Sequence, residues 1–361
     1  MNTFKIIHII HSLAPGGAEN LVRALAKVQR RDGNAVDVFT VGPPVDITAN
    51  AYAERFREDL KLAGIGWHQL TLAKTPHAAL TQLEPHLSLG PRSIVHCHIF
   101  RGLPALLTLQ RSSARVVYTH HNSTYPVPPW LLYWVANRSA DVFVSVCLST
   151  DYEAKARFRG PSRMIHNGIT LSSYRVHEPM RVPACPVRLV MIGSFTAQKN
   201  HLRAVEIMSI LGPKYHLTIF GTGPLEQRIL DAARDLGVDN IELPGVSSTL
   251  PNALARFDLM IQTSDWEGMP LSLIEGHAAG LPIVATNVGD TAAIVADSLT
   301  GYLVPRDAPA VLMAEKVRQA TKEATYTALS QAARTRSLQF DIMNTAKNYA
   351  NLYHHAFADA Q

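Results

Sequence analysis

Short, nearly continuous apolar runs alternate along this chain with longer stretches in which apolar residues return every third or fourth position. In the first half the runs are Ile6 to Ile10, Val36 to Val41, Ile94 to His98, Val116 to Thr119 and Val142 to Val146. In the second they are Arg188 to Ile192, His216 to Phe220, Ile241 to Leu243, Leu259 to Gln262 and Ile283 to Ala285. Runs that are apolar at successive positions fit strands covered on both faces of a parallel sheet. Leu225, Ile229, Ala232, Ala233 and Leu236 define the stripe of one intervening helix, which Gly237 closes. Strand and helix in alternation predict an α/β chain.

Each half carries its own series, and the 361 residues exceed what a single core usually serves. The polar, proline-containing segment Ser172 to Pro186 reads as the linker. The expectation is two doubly wound parallel-sheet domains, residues 1–172 and 187–340, facing across a cleft. A content of 47% hydrophobic and 17% charged residues supports two buried cores and excludes a disordered chain. Cys97, Cys147 and Cys185 are odd in number and widely spaced, which fits neither a disulfide framework nor a zinc ribbon and points to a reducing cytoplasm. The apolar start reaches Pro15-Gly16-Gly17 too early for a secretory signal. The long uncharged stretch Val116 to Asn137 is broken by His120, His121, Asn122 and prolines, so it does not read as a spanning helix.

Positive charge is concentrated in the first half, with 19 basic against 11 acidic residues up to residue 175 and 15 against 18 beyond it. An anionic partner such as a lipid headgroup would account for that asymmetry, as would a solvated surface. Arg23, Lys27, Arg30 and Arg31 fall nearly on one helical face after Gly17. Tyr125 to Trp134 adds aromatic groups suited to a membrane interface or to core packing.

The most informative stretch is Glu267-Gly268-Met269-Pro270-Leu271-Ser272-Leu273-Ile274-Glu275. Proline is tolerated in a first helical turn, so a helix opens near Pro270, leaving Glu267 in the loop and Glu275 inside the helix. The unpaired amides of that turn could hold a phosphate, while the carboxylates accept hydrogen bonds from sugar hydroxyls. Acidic residues are also simply favoured near helix N-termini. Gly16-Gly17-Ala18-Glu19 follows the first strand, matches neither the dinucleotide nor the Walker pattern, and serves either close ligand approach or a tight turn. Gly193 to Asn200 is the corresponding turn of the second half, where Lys199 could neutralise a diphosphate. Gly221-Thr222-Gly223-Pro224 is a third such turn, able to admit a nucleobase or ribose or merely to turn. His96 and His98 share a strand face, and His120-His121 end a neighbouring strand. Without an acidic ligand nearby, this group reads as a polar cleft rather than a metal site, with neutral His121 bonding a sugar hydroxyl or sitting satisfied in the core.

Taken together, Gly16 to Glu19, His121-Asn122, Asn167-Gly168, Gly193 to Asn200, Gly221 to Pro224 and the Glu267/Glu275 pair, followed by Ala279-Gly280-Leu281-Pro282-Ile283-Val284-Ala285-Thr286, make the chain resemble the family 4 retaining glycosyltransferases of GT-B fold. The resemblance implies that Glu275 holds the donor ribose, Glu267 contacts the transferred sugar, Lys199 binds the diphosphate and His121 lies beside the reaction centre. Donor contacts are further implied for Gly16, Gly17, Ser194, Gly221, Gly223, Gly268, Met269, Pro270 and Leu271. Ser194 stands where many relatives carry a second cation. A terminal helix around residues 343–361 would return to the first domain. The implied activity is metal-independent and cofactor-free transfer of a hexose or N-acetylhexosamine from a UDP- or GDP-sugar. The acceptor would be a lipid-linked or cell-envelope glycan on the cytoplasmic membrane face, with peripheral contact to anionic lipid and no nucleic acid. Two alternatives stay open: a nucleotide-sugar-binding scaffold without transfer, and a metallohydrolase built on His96, His98, His120 and His121.

Overall fold

The structure is a computed structural model that describes residues 3–14, 16–42, 51–70, 82–86, 92–107, 114–122, 124–125, 127–175, 183–247 and 249–358. Pro15, Pro126 and residues 176–182 of the expected linker, together with 359–361 of the expected terminal helix, lie outside the described residues. The chain divides into two compact units, Met1–Gly168 with Ile342–Gln361, and Ile169–Asp341.

The first unit is built on a seven-stranded parallel sheet of order β3-β2-β1-β4-β5-β6-β7. Its strands are β1 (Lys5–Ile10), β2 (Ala35–Thr40), β3 (Gly66–Gln69), β4 (Ser93–Cys97), β5 (Arg115–His120), β6 (Val142–Ser145) and β7 (Ser162–Met164). Register is set pairwise, with His8 of β1 beside His96 of β4. Helices α1 (Gly17–Arg31), α2 (Ala51–Leu62), α3 (Pro129–Ser139) and α4 (Leu148–Arg157) connect the strands. Helix α1 has an acid, Glu19, in its first turn and Arg30 and Arg31 in its last, matching the macrodipole, and buries Leu21, Val22, Leu25, Ala26 and Gln29. The terminal helix α10 (Ile342–Ala358) belongs to this unit, with Phe4 packed edge-on to Tyr353 and stacked on Phe357. Its Thr345 hydroxyl donates to the His166 carbonyl at 3.1 Å.

The second unit carries a six-stranded parallel sheet of order β10-β9-β8-β11-β12-β13. The strands are β8 (Val187–Ile192), β9 (Tyr215–Phe220), β10 (Ile241–Gly245), β11 (Leu259–Gln262), β12 (Ile283–Thr286) and β13 (Gly301–Val304). Helices α5 (His201–Leu211), α6 (Glu226–Asp235), α7 (Leu271–Ala278), α8 (Ala310–Ala320) and α9 (Glu323–Ser337) cover them. Leu189, Met191, Val205, Met208, Leu217, Ile219, Ile261 and Val284 form part of one buried cluster. Arg188 donates to both carboxylate oxygens of Asp258 at 2.8 and 3.1 Å, tying β8 to the start of β11. This unit begins at Ile169, whose amide donates to the Phe340 carbonyl, so the stretch through Tyr174 is folded onto it rather than spanning free.

Candidate functional site

In the second unit two strand-to-helix loops meet through an ion pair. After β8 the chain makes a short 3-10 turn, Ala197–Lys199, and Asn200 takes a left-handed conformation (φ 46°) while its side chain accepts from the Arg203 amide to cap α5. That geometry turns Lys199 toward the loop after β11, where its ammonium lies 2.6 Å from Glu267 Oε1. Ser264 donates to the same oxygen at 2.7 Å, and Gln198 Nε2 donates to Oε2 at 3.3 Å. Glu267 is 5% exposed, and burying a carboxylate is costly without such partners. The loops are further laced by the Asp265 amide donating to the Gln198 carbonyl and by the Thr263 hydroxyl donating to the carbonyls of Lys199 and Asn200.

Behind the pair, Gly289 has a left-handed φ of 55°, and a Cβ there would stand 2.1 Å from the Glu267 carbonyl oxygen. Only glycine lets that turn press on the acidic loop. Helix α7 starts just beyond, with Pro270 at its N-cap and no side-chain cap on its first-turn amides. Gly268, Met269, Pro270 and Leu271 are buried at that mouth. Glu275 is half-buried one turn in and accepts a hydrogen bond of 2.8 Å from the Tyr174 hydroxyl. Gly221 and Gly223 sit against the lysine loop: a Cβ on Gly221 would meet the Gly193 carbonyl at 2.0 Å, and one on Gly223 would meet that of Phe195 at 2.6 Å. Ser194 is exposed and brings no charge. His201, just beyond Lys199, is held down to about 4 by burial, with the lysine charge adding to the shift, so it too brings none at neutral pH.

Among the described residues the first unit places no ion pair at the corresponding strand ends. Instead imidazoles gather there. His8 Nδ1 is 3.0 Å from His98 Nε2, and His98 Nδ1 is 2.9 Å from His121 Nε2. His8 Nε2 lies 2.7 Å from Gln29 Oε1. The His96 ring lies tilted against that of His98, 4.0 Å centroid to centroid, and engages the Tyr353 hydroxyl and Thr119 Oγ1, each at 2.7 Å. Burial keeps these rings neutral, His8 at about 4, His121 at about 3, and His96 and His98 well below the usual imidazole value. His8, His96 and His98 could face a common ion, yet both nitrogens of each are already hydrogen-bonded and, among the described residues, no carboxylate joins them. His120 is the satisfied core histidine, between the Tyr118 hydroxyl and the Thr124 carbonyl. His121 differs: its Nδ1 is buried and has no hydrogen-bond partner among the described residues. Gly16 caps α1 with extended backbone, Gly17 opens the helix, and the Glu19 carboxyl, held above its usual range by burial, lies against Gly16.

Two family models match this chain nearly end to end. One, described as Glycosyltransferase Family 4, covers residues 15–173, and the other, Glycosyl transferases group 1, covers residues 180–336. The chain belongs to the family 4 glycosyltransferases of GT-B fold. Among relatives, EpsD of Bacillus subtilis strain 168, named as a glycosyltransferase, is 24% identical over 305 residues, 76% of this chain and 80% of its own length. An Escherichia coli UDP-Gal:alpha-D-GlcNAc-diphosphoundecaprenol alpha-1,3-galactosyltransferase is 30% identical over 121 residues, about a third of each chain at 32% and 31%. Among solved structures, Anabaena Alr3699/HepE in complex with UDP and glucose superposes with a TM-score of 0.79 at 17% identity, covering 97% of this chain and 99% of that one. At that identity the likeness establishes the fold.

Several partners in this glycosyltransferase escaped the sequence reading. His8 interrupts an otherwise apolar strand and Gln29 interrupts the apolar stripe of α1, which was the available signal for both. Gln198 and Tyr174 reach the acidic pair from distant segments and Ser264 from three residues before Glu267, and none carried a signal for its contact. The expected basic face of α1 is reduced, because Arg23 pairs with Asp59 at 3.6 Å and lies over the Phe56 ring, leaving Lys27, Arg30 and Arg31 exposed. On α3, Leu132 and Tyr133 are buried, whereas Trp130 and Trp134, one turn apart, are 65% and 49% exposed. Among the described residues no helix is long and apolar enough to cross a membrane.

Proposed function

We propose that this glycosyltransferase moves a hexose or N-acetylhexosamine from a nucleotide diphosphate sugar to a lipid-linked or cell-envelope glycan acceptor at the cytoplasmic membrane face. The observation that carries the reading is the Lys199–Glu267 contact beside the uncapped mouth of α7. Lys199 and the backbone N–H groups of Gly268, Met269 and Leu271 receive the diphosphate, so that charge developing on the leaving phosphate meets groups already in position. Because Glu267 neutralises Lys199 beforehand, the helix mouth supplies the remaining attraction for the anion. Glu267 holds the sugar through an oxygen that Gln198 only weakly engages, Glu275 holds the ribose, and His121 of the first unit is assigned to the transferred sugar. Ser194, Gly221 and Gly223 border the nucleotide, and Gly16 and Gly17 the phosphate side. Transfer proceeds with retention by attack on the face from which the nucleoside diphosphate leaves, without an enzyme nucleophile or a metal ion. UDP is favoured as the nucleotide by the complex and the galactosyltransferase described above. The same galactosyltransferase name supports a lipid-diphosphate acceptor, and exposed Trp130 and Trp134 beside Arg138 suit peripheral contact with an anionic membrane.

The test is incubation with a panel of UDP- and GDP-sugars and extracted lipid-linked acceptors, followed by assignment of the new anomeric centre. Product formation that disappears in Glu275→Ala supports the reading. Absence of product with every pair, nucleotide binding without turnover, or full activity in Glu275→Ala sinks it.

A further inference from the structure

We propose that Gln29 fixes the tautomer of His121 through a chain of imidazoles, so that His121 offers a lone pair at Nδ1 to a hydroxyl of the transferred sugar. The proposal rests on the assignment of His121 to that sugar and adds Gln29, His8 and His98 as positioning residues.

A neutral imidazole carries one N–H and one lone pair, so a line of them has a direction. Gln29 Oε1 can only accept, and His8 Nε2 stands 2.7 Å from it, so His8 carries its hydrogen on Nε2. His8 Nδ1 is then an acceptor, and His98 Nε2 at 3.0 Å must donate to it. His98 Nδ1 is left an acceptor in turn, so His121 Nε2 at 2.9 Å carries the hydrogen. What emerges at the far end is the bare lone pair of His121 Nδ1, the buried atom with no partner among the described residues.

The direction depends on how the Gln29 amide is turned, and a second branch decides it. Gln29 Nε2 lies 3.3 Å from the Tyr353 hydroxyl, which is 2.7 Å from His96 Nδ1. His96 Nε2 continues to Thr119 Oγ1 at 2.7 Å, and Thr119 to the Tyr349 hydroxyl at 3.1 Å. Turning the amide over would reverse every proton in both branches and leave a donor at His121 Nδ1. It would also demand an N–H···N bond at the 2.7 Å separation and an O–H···O bond at the 3.3 Å separation. Hydroxyl–oxygen bonds span about 2.5–3.0 Å and amide N–H···O bonds about 2.7–3.2 Å, so the two separations fit the assigned orientation better than its reverse. A lone pair at the end of the chain accepts from a hydroxyl and repels a phosphate oxygen, which selects a sugar over its own leaving group.

Nitrogen-15 spectra of histidine-labelled, ligand-free protein read the tautomers directly. The expected result is Nε2–H for His8, His98 and His121. An Nδ1–H form at any of the three overturns the chain. In Gln29→Leu, which removes the anchoring acceptor, His121 should show both tautomers. Affinity for UDP-glucose or UDP-N-acetylglucosamine should fall about fivefold while affinity for UDP alone holds. Equal losses for UDP and the UDP-sugars, or an unchanged single tautomer in the variant, refute the positioning role. If Gln29→Leu does not fold, the wild-type spectra still decide the direction. Wild-type protein that binds no nucleotide sugar refutes the reading of the site, and in that case too the spectra decide the chain on their own.

Discussion

The two units share a strand order and part ways at the chemistry they set on it. In both, the central strand is flanked on one side by the next two strands in sequence and on the other by the following ones. At the ends of β1, β4 and β5 the first unit gathers neutral imidazoles joined to amides and hydroxyls. At the ends of β8 and β11 the second unit gathers an ammonium and a carboxylate. One architecture therefore supports two kinds of polar interior: a network whose members are uncharged and directional, and a pair whose members are charged and mutually dependent. The first holds protons in an order, whereas the second holds charge against its tendency to return to water.

Acid should separate the units most strongly. His8 and His120 are lowered to about 4 and His121 to about 3, with His96 and His98 also lowered, all chiefly by burial. The second unit has His201 at about 4 and His277 at about 3. In each case the folded value lies below the unfolded one of 6.5. As pH falls through 6.5 the unfolded chain takes up protons that the folded chain refuses, so stability is full above that pH and declines below it. Each imidazole removes up to about 1.4 kcal/mol per pH unit. Among the described residues five such buried groups, with half-buried His68 also lowered, stand against two, so the first unit should lose several kcal/mol by about pH 5 and open first. Amide exchange followed separately in each unit at pH 7 and pH 5 measures this, and equal loss of protection in both would remove the distinction.

Breaking the charged pair should come next in size. Lys199 and Glu267 side chains are only 14% and 6% exposed, so removing either leaves a poorly solvated charge. Glu267→Ala should cost about 3–5 kcal/mol in urea denaturation, and Glu267→Gln, whose one carbonyl oxygen can still accept from Ser264, clearly less. If the alanine variant is as stable as the wild type, the pair is a surface contact and the contrast between the units is one of composition alone.

How much of this was legible in the sequence follows the range of the interactions. Central strands such as Ile6 to Ile10 and Leu259 to Gln262 announce themselves, because burial on both faces demands continuous apolar residues. The expected list lacked β3, β7 and β13, which lie at or beside sheet edges. Gly66 to Gln69 and Ser162 to Met164 are covered on one side only and need no apolar run, and Gly301 to Val304 is only four residues long. The opening of α7 at Pro270 was readable because proline acts locally. The lysine–glutamate contact was not, since residues 199 and 267 meet only through the sheet that sets β8 beside β11. His8 and Gln29 were marked by sequence as polar interruptions of apolar faces, while their partnership depends on the register of β1 against β4 and on α1 lying over them.

Tyr174→Phe is the smallest change and the one that sharpens the comparison most finely, because it touches the second unit's charge chemistry without removing a charge. Tyr174 comes from the start of the stretch that the sequence marks as the linker, yet it is folded onto the second unit and donates to Glu275 at 2.8 Å. A hydroxyl bonded to a carboxylate contributes about 1.5–3 kcal/mol where both are buried, and the half-buried Glu275 places this one toward the lower end. Losing it should leave the helix folded and the carboxylate less firmly held, so nucleotide affinity in calorimetric titration should fall roughly tenfold while the unfolding midpoint moves little. A variant that binds nucleotide normally but melts early would make Tyr174 a structural tether alone. Glu275 would then owe its orientation to α7, as the histidines of the first unit owe theirs to the strands on which they sit.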